Sequence, residues 1–196
     1  MEHVNKTLLP FDYTREIPAM AWKWILQYGL PMVHWKESVS YSPSSERLVF
    51  HIGKPLQFSM GRYVGTAKPG TKKWYVWGDC HKHAEILGDE KSNTIVLVED
   101  LISAHKVAEA GYVAIPLFGT KVHNPVLYYL LNSIKPVVLW LDKDQEGNVK
   151  KTAIRLQSII NRPVSLVVTD KDPKSLGFNS IKESIIGTTR NINENL

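Results

Sequence analysis

Acidic residues follow three of the four apolar runs in the second half of the sequence. Run by run, they are Glu99 and Asp100 after TIVLV, Asp142 and Asp144 after VVLWL, and Asp170 and Asp172 after VSLVVT. Clustered carboxylates repel one another, so a protein that gathers them normally supplies a cation. Carboxylate oxygens favour Mg²⁺ or Mn²⁺, which leave coordination positions for phosphate oxygens. In the alternative interpretation these acids cap helices, a role for which Asp100 and Asp144 are well placed.

The elements that would position these acids are predicted from the apolar runs, which lack polar alternation. The expected strands are 94–98, 112–117, 137–141 and 164–169; the expected helices are 100–110, 124–134, 147–161 and 179–186. Uninterrupted apolar strands that alternate with helices indicate an α/β lobe with a mostly parallel, Rossmann-like sheet. Ligands of such sheets bind beyond the carboxyl ends of the strands, where the acids and the Gly119 turn lie.

The first part of the sequence has a different pattern. A helix is expected over 18–28, followed by short strands at 47–52, 56–60, 62–65 and 74–77 that Gly, Pro and Ser separate. These spacings predict a small antiparallel sheet. We therefore expect two lobes, a small basic α+β lobe over 1–90 and an α/β lobe over 91–196.

Charge and composition narrow the class of protein. The formal net charge is +5, and from Arg47 to Lys82 seven basic residues accompany a single acid, Asp79. This excess fits a polyanionic partner, although such a run can also be a solvated surface. The sequence shows no signal-peptide pattern and no membrane-length apolar run, which predicts a cytoplasmic protein without a membrane partner. The single cysteine excludes an internal disulfide; whether Cys80, His81 and His83 bind a metal stays open.

A resemblance joins these features. Glu99 after a strand, Gly119 after the next strand, and DKDQEG at 142–147 resemble the TOPRIM pattern. KDPKSL at 171–176, together with Tyr28-Gly29, ERLVFHI, Gly61-Arg62 and KKWYVWGD, is similar to the catalytic core of bacterial and phage DnaG-type DNA primases. The resemblance departs at Asp100, where many relatives have Gly, and at Lys174-Ser175, where an additional acid is common. These departures bring a third metal site into question.

The resemblance implies roles for particular residues. Glu99 would bind metal or act as a general acid/base, Asp142 and Asp144 would hold catalytic Mg²⁺ or Mn²⁺, and Asp172 is a further metal-ligand candidate. Phosphates of template or nucleotide would contact a second set: Arg62, Lys72, Lys73, Gly119, Lys143 and Lys171.

The function that the resemblance implies is primer synthesis. The enzyme would make short RNA on single-stranded DNA from ribonucleoside triphosphates, with a replicative helicase or a separate zinc-binding module as partner. Two alternatives remain: a TOPRIM nuclease with the same metals, and a non-catalytic DNA-binding accessory of replication or recombination.

Overall fold

The structure, a computed structural model, describes residues 7–66, 68–141 and 146–193. The chain divides into two compact units, Met1–His83 and Ala84–Leu196. Each unit contains its own sheet, antiparallel in the first and parallel in the second. This mixed architecture agrees with the predicted α/β class.

The first unit is a four-stranded antiparallel sheet with two short helices. In chain order its elements are α1 (Ala19–Leu26), α2 (Met32–Trp35), β1 (Val39–Ser42), β2 (Arg47–Ile52), β3 (Phe58–Tyr63) and β4 (Trp74–Gly78). A 3-10 turn over Cys80–Lys82 follows. The strand order is β1-β2-β3-β4, so each strand pairs with the next one along the chain.

Strand β3 is continuous where the sequence predicts two strands. Gly61, which we expected to interrupt the pairing, lies opposite Val49 and Tyr75 in regular register. A Cβ added at Gly61 would lie 2.5 Å from Trp77 Cζ3, so the missing side chain makes room for an indole ring. Helix α2 and strand β1 were not predicted, because four-residue elements give too short a pattern to detect.

The two faces of this sheet differ in chemistry. Because side chains alternate along a strand, Phe50, Arg62 and Trp74 share the face that receives the Trp24 ring of α1. Phe50 and Trp74 are 5.9 Å apart between ring centroids, and both belong to an aromatic cluster with Trp24. The opposite face carries Arg47, Tyr63, Tyr75 and Trp77.

A buried arginine organises that opposite face. Arg47 is only 7% exposed, and its Nη1 donates to the carbonyl of Gly61 at 2.9 Å. Its Nη2 donates to the carbonyl of Lys72 at 2.7 Å, and Nη1 lies 3.5 Å from the carbonyl of Lys73. The guanidinium also lies over the rings of Tyr63 and Tyr75, at 5.6 and 5.8 Å from their centroids. One cation therefore ties the 68–73 loop to the sheet.

The second unit is a parallel sheet with helices on both faces. Its elements are β5 (Ile95–Val98), α3 (Leu101–Glu109), β6 (Val113–Pro116), α4 (Asn124–Leu131), β7 (Val137–Trp140), α5 (Glu146–Ile160), β8 (Val164–Leu166) and α6 (Phe178–Asn193). The order is β6-β5-β7-β8, and every pair is parallel. The predicted parallel sheet is confirmed. Strand β8 is shorter and α6 is longer than the sequence suggested.

The central strands β5 and β7 are completely buried because both faces of the sheet are covered. Leu97 and Leu139 belong to a core that includes residues of α4 and α5. Val96 and Val138 belong to a second core that includes residues of α3 and α6. Within the ranges that the structure describes, no helix combines the length and the apolarity needed to cross a membrane.

We predict that Arg47→Met lowers the free energy of unfolding by about 3 kcal/mol, because buried carbonyls lose charge-assisted hydrogen bonds. Urea denaturation followed by circular dichroism measures the change. Arg15→Met is the matched control: Arg15 is exposed and also donates to two carbonyls, those of Glu37 and Val39. Water can replace Arg15 at the exposed Glu37 carbonyl, so the control should lose less free energy of unfolding than Arg47→Met, about 1 kcal/mol. Equal losses of free energy of unfolding in the two variants would show that the burial of Arg47 does not strengthen its contribution to stability.

Candidate active site at the carboxyl edge of the parallel sheet

Glu99 directly follows β5, beside the end of β7. Val98 and Trp140 are register partners in these two parallel strands, so Glu99 and Leu141 leave the sheet side by side. Glu99 is half-buried, and its Oε2 atom is shielded from solvent. The predicted site residues Asp142, Lys143 and Asp144 lie outside the described residues. The described backbone thus places Glu99 next to the strand end that leads into the Asp-x-Asp segment.

The turn after β6 contacts Glu99 through its backbone. The Gly119 N–H donates to the Glu99 carbonyl at 3.1 Å. Gly119 has a φ of 143° and Phe118 a φ of 53°, both in the region that favours glycine. A Cβ at Gly119 would meet no atom within 4 Å, so backbone conformation and not crowding accounts for the glycine. The open side of this turn lies at the same edge as Glu99.

Asp100 caps helix α3, as the alternative interpretation of the acids proposed. Its Oδ1 accepts the N–H groups of Ile102 and Ser103 at 2.9 and 3.0 Å. Its Oδ2 accepts the Ser103 hydroxyl at 2.9 Å. These bonds satisfy donors that the first turn of a helix leaves without intrahelical partners. The cap fixes the chain immediately after Glu99.

Lys174 joins Asp100 to Asp172. Its Nζ lies 2.8 Å from Asp100 Oδ2 and 2.7 Å from Asp172 Oδ2, in the 3-10 turn Pro173–Ser175. Burial alone lowers the pKa of Lys174, but the two carboxylates outweigh it and hold the pKa above its ordinary 10.5. Asp172, a metal-ligand candidate from the sequence, therefore has an ammonium ion as its neighbour. A metal bound through Asp172 Oδ2 would have to displace Lys174.

The loop after β8 is also tied to β7. Trp140 Nε1 donates to Thr169 Oγ1 at 3.0 Å, and the Thr169 hydroxyl donates to the Lys171 carbonyl at 2.8 Å. The Lys171 side chain is exposed. Lys171, a candidate phosphate-binding residue, therefore lies on a loop between the Thr169 hydrogen bonds and the 3-10 turn Pro173–Ser175.

The predicted phosphate-binding residues of the first unit have two kinds of environment. Arg62 is half-buried, with its guanidinium 5.0 Å from the Trp24 ring and 5.7 Å from the Trp74 ring. Its Nε is buried without a hydrogen-bond partner among the described residues, and burial lowers its pKa. The side chains of Lys72 and Lys73 are exposed, whereas their carbonyls face Arg47.

The described residues contain no group of three or more His, Cys, Asp or Glu side chains arranged to hold a metal ion. Cys80 Sγ lies 3.7 Å from His81 Nδ1, while the His83 ring packs at the edge of Phe58. Burial raises the pKa of the Cys80 thiol, which disfavours the thiolate that binds metal. Of the predicted metal ligands that the structure describes, Glu99 fits best, because it presents a carboxylate at the sheet edge.

The sequence did not indicate the structural roles of two residues, Lys174 and Arg47. In the sequence, Lys174 was noted only as a departure from the primase resemblance, and Arg47 only as the first residue of the basic run from Arg47 to Lys82. The partner Asp100 is 74 positions from Lys174, a separation that no local pattern reveals. For Arg47, the position in an apolar strand, RLVFHI, is the signal that could have identified a buried cation.

We predict that Lys174→Met lowers the free energy of unfolding by about 1–3 kcal/mol at pH 7–9, since two carboxylates lose their shared counterion. A group whose folded pKa is raised stabilises the fold below its unfolded pKa, here 10.5. The difference between wild type and variant should therefore persist to about pH 10 and shrink at higher pH. Denaturant unfolding at several pH values measures it.

Lys171→Met is the matched control, because Lys171 is exposed on the same loop. It should change stability by less than about 0.5 kcal/mol at every pH. A Lys174→Met effect as small as that of the control would mean that the bridge does not stabilise the fold.

Comparison with known proteins shows what this fold is similar to. The sequence matches no protein-family model and no curated protein. The crystal structure of the Aquifex aeolicus primase, comprising zinc-binding and RNA polymerase domains, matches with a TM-score of 0.70 and 16% sequence identity. The match covers 87% of this chain and 56% of that one, so the chain spans little more than half the length of the structure it matches. The chain therefore has a primase-like fold.

Proposed function

We propose that the chain is a DNA primase-like nucleotidyltransferase of the TOPRIM type, which makes short RNA primers on single-stranded DNA during replication. The observation that carries the proposal is the primase-like fold, with Glu99 at the carboxyl edge of the parallel sheet. The sequence adds Asp142 and Asp144 directly after the neighbouring strand. Acids at adjacent strand ends suit a reaction that transfers phosphate-linked groups with divalent cations.

In the proposed reaction, Glu99, Asp142 and Asp144 would hold two Mg²⁺ or Mn²⁺ ions, or Glu99 would instead take up the proton of the attacking 3′-hydroxyl. The ions, when bound, would supply positive charge that activates this hydroxyl and offsets the charge of the α-phosphate and the pyrophosphate. The N–H of Gly119 already donates to the Glu99 carbonyl, which keeps this part of the edge in place. The chemistry requires no nucleophile from the protein.

The proposed phosphate contacts come from cations of both units. Lys72, Lys73 and Lys171 expose their side chains on loops whose backbones are hydrogen-bonded. Arg62 offers a planar guanidinium that lies near the Trp24 and Trp74 rings, and a guanidinium suits phosphate oxygens. We assign Lys143 and Gly119 to the nucleotide side by the same sequence argument. Template and ribonucleoside triphosphates are the polyanions that these residues would contact.

Partners are proposed for the steps that these residues do not explain. By the resemblance to DnaG-type primases, recognition of the template would involve a separate zinc-binding module or a replicative helicase. A TOPRIM nuclease remains the alternative enzyme, because the same acids could activate water. In a non-catalytic accessory the same fold would serve as a scaffold.

We predict that the purified chain, given single-stranded DNA, ribonucleotides and Mg²⁺ or Mn²⁺, makes short RNA oligomers and leaves the DNA intact. Glu99→Gln, Asp142→Asn and Asp144→Asn should each reduce synthesis by roughly 100-fold or more, because a metal ligand or proton acceptor is lost. Glu109→Gln, an exposed acid at the end of α3, is the control and should retain activity.

One gel with labelled ribonucleotide beside labelled DNA separates the candidate functions. Cleavage without oligomers supports the nuclease. The absence of both products, even with a helicase partner and high Mn²⁺, supports the accessory. Oligomers made equally well by all three acid variants would remove the proposed active site.

We further predict that charge reversal at Lys72 or Lys73 weakens binding of single-stranded DNA and flattens its salt dependence. For every phosphate that the variant no longer neutralises, the log–log salt slope should fall by about 0.7. Fluorescence anisotropy at several salt concentrations measures the slope. Lys36→Glu, an exposed lysine after α2, is the control for the change in net charge. Slopes that match the control would mean that the 68–73 loop is only a solvated surface.

A further inference from the structure

A groove of about 380 Å³ lies on the Arg47 face of the antiparallel sheet. Phe11, Tyr75 and Trp77 supply aromatic surface to its lining, and Asp12 and Ser45 are among the polar lining residues, called the rim below. Strand β4 carries two tryptophans, Trp74 and Trp77. Alternation along β4 separates them, since Trp74 packs with Trp24 and Phe50, whereas Trp77 lines the groove.

The aromatic side chains of the groove are accessible. Phe11 is 94% exposed and Tyr75 is 48% exposed, so both rings can contact a ligand. Tyr75 and Trp77 pack edge to face, with ring centroids 4.8 Å apart. Trp77 lies against Gly61, and the guanidinium of Arg47 lies 5.8 Å from the Tyr75 ring. The groove therefore presents the packed pair of Tyr75 and Trp77, with the exposed Phe11 ring beside it.

The rim offers hydrogen-bonding groups in a fixed arrangement. Asp12 Oδ1 accepts the Ser42 hydroxyl and Oδ2 accepts the Ser44 N–H, both at 2.7 Å. The Ser45 hydroxyl donates to Ser42 Oγ at 2.7 Å, which completes a small polar network. Carboxylate and hydroxyl oxygens are suited to the edges of a heterocyclic base.

The charge distribution favours a neutral ring inside the groove and an anion outside it. Arg47 lines the groove, but its Nη atoms are engaged by backbone carbonyls, and Asp12 is the acid at the rim. Among the described lining residues Arg47 is the one cation and Asp12 the one acid, so the lining carries no net charge that would favour an anion inside. Two of the three carbonyls that Arg47 holds belong to Lys72 and Lys73, whose side chains are exposed. An aromatic ring attached to a phosphate backbone satisfies both conditions.

We propose that this groove binds one unpaired base of a single-stranded nucleic acid whose phosphates contact Lys72 and Lys73. The base stacks on Tyr75 or Phe11, and its edge faces Asp12 and Ser45. Stacking on aromatic side chains is a general way to hold single strands without reading their sequence. The proposal rests on the proposed single-strand binding but not on the reaction, so a polymerase, a nuclease or an accessory could use the groove.

The test compares a single-stranded DNA oligomer with an abasic oligomer of the same length. The wild type should bind the normal oligomer at least about 5-fold more tightly, the lower end for one base–aromatic stack. Phe11→Ala and Tyr75→Leu should each lose much of this preference while keeping the salt slope, because no phosphate contact changes. Tyr128→Leu in α4, a 72% exposed tyrosine of the other unit, is the matched control.

A second readout locates the base directly. Oligomers that contain 5-iododeoxyuridine should crosslink under ultraviolet light to Phe11, Tyr75 or Trp77, as peptide mapping would show. Phe11 is nearly fully exposed, so its replacement should leave the thermal unfolding midpoint unchanged even if Tyr75→Leu is destabilised.

The outcomes separate the two proposals. Equal binding of normal and abasic oligomers, unaffected by Phe11→Ala, overturns the base-binding groove and leaves the proposed function standing. Base-dependent binding without RNA synthesis supports the groove and contradicts the proposed function. Absence of single-strand binding contradicts both.

Discussion

Complete burial of two neighbouring parallel strands is the constraint on which the candidate active site depends. Every residue of β5 and β7 is buried, and an unpaired charge within them would be costly. Charged groups are therefore confined to the strand ends, and the pairing of Val98 with Trp140 brings two of those ends together. The core that stabilises the sheet thus also determines where acids can meet.

Hydrogen-bonded cations play a related part in both units. Arg47 holds three backbone carbonyls of the first unit, and Lys174 holds two carboxylates of the second. In each unit the cation fixes a loop that carries exposed lysines, Lys72 and Lys73 or Lys171. By fixing the loop backbone, each cation limits the conformations available to the exposed lysines. Those lysines therefore lose less entropy when they bind a polyanion.

The sequence predicted the features that depend on long apolar patterns and missed those that depend on distant partners. Uninterrupted runs such as VVLWL identified the parallel sheet, because burial on both faces removes polar alternation. Gly61 was misinterpreted as a strand break, since the indole above it is contributed from another strand. The position of Asp100 before α3 indicated its cap, but not its bridge to Lys174. Glu99 was found from its place after β5, whereas Asp142 and Asp144 lie outside the described residues.

The alternation of side chains along β4 makes its two neighbouring aromatics belong to separate surfaces. Trp74 closes the cluster that holds Arg62, and Tyr75 faces the groove. Insertion or deletion of one residue in the connection between β3 and β4 could be absorbed by that loop, as could two. Within the strand, however, a shift by one residue exchanges the two faces, whereas a shift by two preserves them. The alternation in this strand thus limits how the sequence can vary, because a slip by one residue would move Tyr75 and Trp77 to the cluster face and Trp74 and Val76 to the groove face in the same step.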